Sequence, residues 1–75
     1  MTQAEAERLA LRIATEAVRR TIAAELDRLE SAGLTEAEAR ERVNVNAEAF
    51  GTMAEGARLR ALALLTAPET RHMAH

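Results

Sequence analysis

The chain has 75 residues, ten arginines, no lysine, eleven glutamates and one aspartate, giving a net charge of -2. It has no cysteine, tryptophan or tyrosine, and Phe50 is its only aromatic residue. These counts exclude a disulfide scaffold, a Cys-ligated zinc site, a thiol nucleophile and a base-stacking nucleic-acid platform. Length allows one domain at most. No run of 18 apolar residues exists, so no membrane span is expected. Charges at Glu5, Glu7 and Arg8 stand where a signal peptide would be apolar, which points to a cytoplasmic chain.

The first predicted element is a long helix over about residues 3–32. Thr2 and Glu5 have the spacing of a capping box, and no Gly or Pro follows until Gly33. At about 100° per residue, Leu11, Ala14, Val18, Ile22, Leu26 and Leu29 form one stripe, the candidate inner face. Leu9, Ile13, Ala17 and Ala24 form a second, alanine-rich face suited to close approach by another helix. Gly33 is the expected left-handed residue that ends the helix, followed by the apolar Leu34.

Thr35 and Glu38 repeat the capping-box spacing, so a second, brief helix is expected over about 36–43. Its short link to the first makes the two fold back on each other. Asn44 can take a left-handed conformation, Asn46 can cap a third helix, and Val45 with Phe50 stand at staple positions. The third helix is expected over about 47–66, burying Phe50, Met53, Ala54, Ala57, Ala61, Leu64 and Leu65. Pro68 stops it. The fold class is therefore all-α, a helical hairpin occupying residues 1–67 with a tail at 68–75. Gly51 lies inside the third helix at a cost of about 1 kcal/mol relative to alanine, which suggests that Ala47, Gly51 and Ala54 admit a close neighbour.

Eighteen alanines help helices form but bury little, and setting aside Met1 and Met73 only 16 large apolar side chains remain. A monomer of this composition is expected to be marginal, with part of its core supplied by a copy of itself or a larger protein partner.

The segment Glu38-Ala39-Arg40-Glu41-Arg42-Val43-Asn44-Val45-Asn46, with Phe50 and Met53 following, resembles helix-turn-helix proteins over residues 36–55. Small regulators and phage small terminase subunits combine such a motif with a long oligomerising helix. The resemblance implies DNA as a partner, with Arg58 and Arg60 as the candidate contacts. Read from the residues alone, the third helix begins Ala47-Glu48-Ala49 and offers no bidentate base reader at that end. Nor does the chain carry the basic excess that phosphate contacts require.

The tail holds Glu69, His72 and His75, one Glu-x-x-His and one His-x-x-His, a fragment of a metal-ligand pattern but not a set. The single Ser31 lies at a helix end, and no Gly-rich phosphate loop is present. No catalytic residue, metal or cofactor is expected. The expectation is a non-enzymatic interaction or oligomerisation protein of phage or mobile-element type, structural or adaptor in role. Its interaction surface would comprise Leu9, Ile13, Ala17, Ala24 and Gly51. The alternative is an oligomeric helix-turn-helix DNA-binding regulator or packaging factor.

Overall fold

In a computed structural model, which describes residues 1–67, Thr2 starts the first helix as its sequence requires. The Thr2 hydroxyl accepts from the Glu5 amide at 3.1 Å, and the Glu5 carboxylate accepts from the Thr2 amide at 2.9 Å. Helix α1 spans Gln3–Ser31. Gly33 ends it with φ +104°. Its amide donates to the Glu30 carbonyl, and the Leu34 amide reaches back to the Leu29 carbonyl at 3.1 Å. These are the two bonds of a Schellman turn. A Cβ at Gly33 would meet nothing within 4 Å, so glycine is favoured there by backbone conformation and not by space.

Thr35 and Glu38 form the second capping box, with bonds of 3.2 and 2.9 Å, and start α2, Glu36–Val45. Helix α3 follows as Ala47–Leu65. All three predicted helices are present, and α1 packs mainly on α3 and less on α2. With 10 and 19 residues, α2 and α3 together match the 29 of α1 and cover it in succession.

The corner between α2 and α3 differs from expectation. Asn44 lies inside α2, and no residue other than glycine has a positive φ among the described residues. Asn46 makes no side-chain cap to α3; its Nδ2 donates instead to the Arg42 carbonyl at 3.1 Å. The last carbonyls of a helix lack partners within the helix, and here they take the amide that sequence reasoning assigned to the next helix. Val45 is 73% exposed, so it makes no staple with Phe50. Asn46 alone separates the two helices, and α2 and α3 have little contact with each other.

The core is small. Ala6, Ala10, Ala14, Leu29, Ala39 and Ala61 are its buried residues, and Leu29 is the single large side chain among them. Val18, Ile22 and Leu26 of the expected stripe are half-buried, as are Phe50, Ala54, Ala57 and Leu65 on α3. Leu11, Met53 and Leu64 were expected in the core and are exposed, at 56%, 43% and 67%. The reason is register. Ala6, Ala10 and Ala14 form an i, i+4 row on α1, and alanine there lets α3 approach closely, which turns the bulkier Leu11 out to the flank. No polar or charged residue is buried among those described.

Candidate interaction surface

Helical geometry distributes the exposed apolar residues between two sides of the hairpin. On α1, Glu7 and Leu11 flank the Ala6–Ala10–Ala14 row on one side; they line a shallow open groove with Ala4, Arg8 and Arg58. Leu9, Ile13 and Ala17 form an i, i+4 row on the other flank. Leu9 is half-buried, Ile13 is 44% exposed and Ala17 is exposed. On α3, Arg58 belongs to the groove side, and at about 100° per residue Met53 and Leu64 fall on the opposite flank of the Ala54–Ala61 row. The groove fixes which flanks of the two helices adjoin, so Leu9, Ile13 and Ala17 share a side of the hairpin with Met53 and Leu64.

Of the other two expected contact residues, Ala24 lies on this flank and Gly51 does not. Ala24 is exposed and, at about 100° per residue, lies within about 20° of Ile13 and Ala17 round α1, about two turns beyond Ala17 along the same flank. Gly51 is exposed on the groove side of α3, and a Cβ there would meet nothing within 4 Å, so no neighbour within the chain explains it. Met53 and Leu64 were missed as surface residues because both are large and apolar and so were counted into the core. Their angular offset from Ala54 and Ala61 was the available signal.

The two arginines expected to contact DNA lie about 200° apart round α3. Arg58 is half-buried and held by Glu55, with Nε donating to the carboxylate at 3.1 Å. Arg60 is exposed on the side of Met53 and Leu64. Arg28 pairs with Glu25, and Arg40 with Glu36 at 2.6 Å. Every ion pair among the described residues joins positions three or four apart on one helix. Such pairs support individual helices by about 0.2–0.5 kcal/mol and do not tie one helix to another.

The pKa shifts are mostly local, with one contribution that crosses between helices, from Glu7 of α1 to Arg58 of α3. Amide donation from Thr2 and Thr35 lowers Glu5 and Glu38 below the usual glutamate value. Hydrogen bonds from Arg28 and Arg58 lower Glu25 and Glu55, and raise those arginines in turn. Carboxylates held low stabilise the fold above their unfolded pKa, and that contribution is lost as pH falls through the folded value. Helix content and thermal midpoint are therefore expected to decline on acidification from about pH 5 to about pH 3. Circular dichroism at 222 nm measures this, and the double variant Glu5→Gln/Glu38→Gln should start lower at pH 7 and decline less.

No three His, Asp or Glu residues among those described cluster so as to hold a metal ion. Glu69, His72 and His75 lie outside the described residues. No described helix is long and apolar enough to cross a membrane. No family model, curated protein or solved structure matches the chain.

Proposed function

We propose that the chain is a non-enzymatic helical module whose role is self-association through the Leu9, Ile13 and Ala17 flank of α1. The observation that carries this reading is the inversion of its packing. Alanines fill the core, whereas Leu11, Ile13, Met53, Leu59 and Leu64 stand in solvent. Exposed apolar area is ordinary when scattered, but here Ile13, Met53 and Leu64 share one side of the hairpin and Leu11 and Leu59 the other, while Leu29 is the one large side chain buried among the described residues. The titratable groups support a non-enzymatic role: among the described residues their shifts come chiefly from helix caps and i, i+3 pairs, and no carboxylate there is buried.

Sedimentation equilibrium of the purified chain over a wide concentration range tests the reading. Self-association is expected for the wild type, and Ile13→Glu should weaken it at least tenfold with helix content retained. A wild-type chain that sediments as a folded monomer at every concentration would falsify it. The same samples titrated into labelled duplex DNA at low salt distinguish the helix-turn-helix reading. A retarded species lost in the double variant Arg58→Ala/Arg60→Ala would favour DNA binding over self-association as the primary role.

A further inference from the structure

We draw no further inference here: the strongest candidate, the exposed apolar flank that Ile13 of α1 shares with Met53 and Leu64 of α3, carries nothing beyond the self-association already proposed, because nothing in the structure shows what covers it.

Discussion

Leu29→Ala is expected to cost about 2–5 kcal/mol, the range for removing a buried leucine and leaving a cavity. Leu29 is 7% exposed and is the one large side chain in the core among the described residues. It also sits in the last turn of α1, where its carbonyl accepts the Leu34 amide that closes the Schellman turn. The side chain thus lies where the chain reverses, near the start of α2. Typical stability of about 0.05–0.15 kcal/mol per residue allows a chain of this length roughly 4–11 kcal/mol in total. Loss of Leu29 would therefore remove from about a fifth of it upward. A fall in thermal midpoint of more than about 10 °C is expected, read by circular dichroism at one fixed protein concentration because self-association shifts the midpoint. Leu59→Ala is the control. Leu59 is 51% exposed on the charged side of the hairpin, and its truncation should change stability by less than about 0.5 kcal/mol. Equal effects from the two substitutions would show that Leu29 is not the packing centre of the fold.

Helix existence and helix ends were legible in the sequence for a local reason. Thr2 with Glu5, Thr35 with Glu38, and Gly33 with Leu34 act over three to five residues, so spacing alone specifies their hydrogen bonds. The α2–α3 corner was less legible because Asn has two competing roles. Asn46 can accept from the amides of a helix start or donate to the carbonyls of a helix end, and it does the second. The register of α1 on α3 was legible only in part. Val18, Ile22, Leu26 and Leu29 followed the apolar stripe, but toward the N-terminus the stripe passes from Leu11 to Ala10 and Ala6. A pattern scored by hydrophobicity ranks leucine above alanine, whereas two helices in close contact select the smaller side chain. The same error placed Met53 and Leu64 inside.

Ala10→Leu tests that account of register, and its outcome should run opposite to simple hydrophobicity. Filling a buried position with leucine adds about 1.5–3 kcal/mol of transfer free energy when room exists. Ala10 is 0% exposed, between Ala6 and Ala14 at 1% each, and on α3 the buried residue is again an alanine, Ala61. Three extra carbons at the centre of that row must either separate the helices or twist neighbouring side chains out of their rotamers, typically at a net cost of about 1–3 kcal/mol. Separation would also loosen Ala6 and Ala14, whose burial depends on the same distance, so the upper part of the range is expected. Ala24→Leu provides the contrast. Ala24 is exposed and points away from Ile22, Leu26 and Leu29, so leucine there should be within about 0.5 kcal/mol of neutral. Urea denaturation at matched concentration measures both. If Ala10→Leu stabilised the chain while Ala24→Leu did not, the α1–α3 contact would have space to spare. The exposed Leu11, Met53 and Leu64 would then need a cause other than close helix approach.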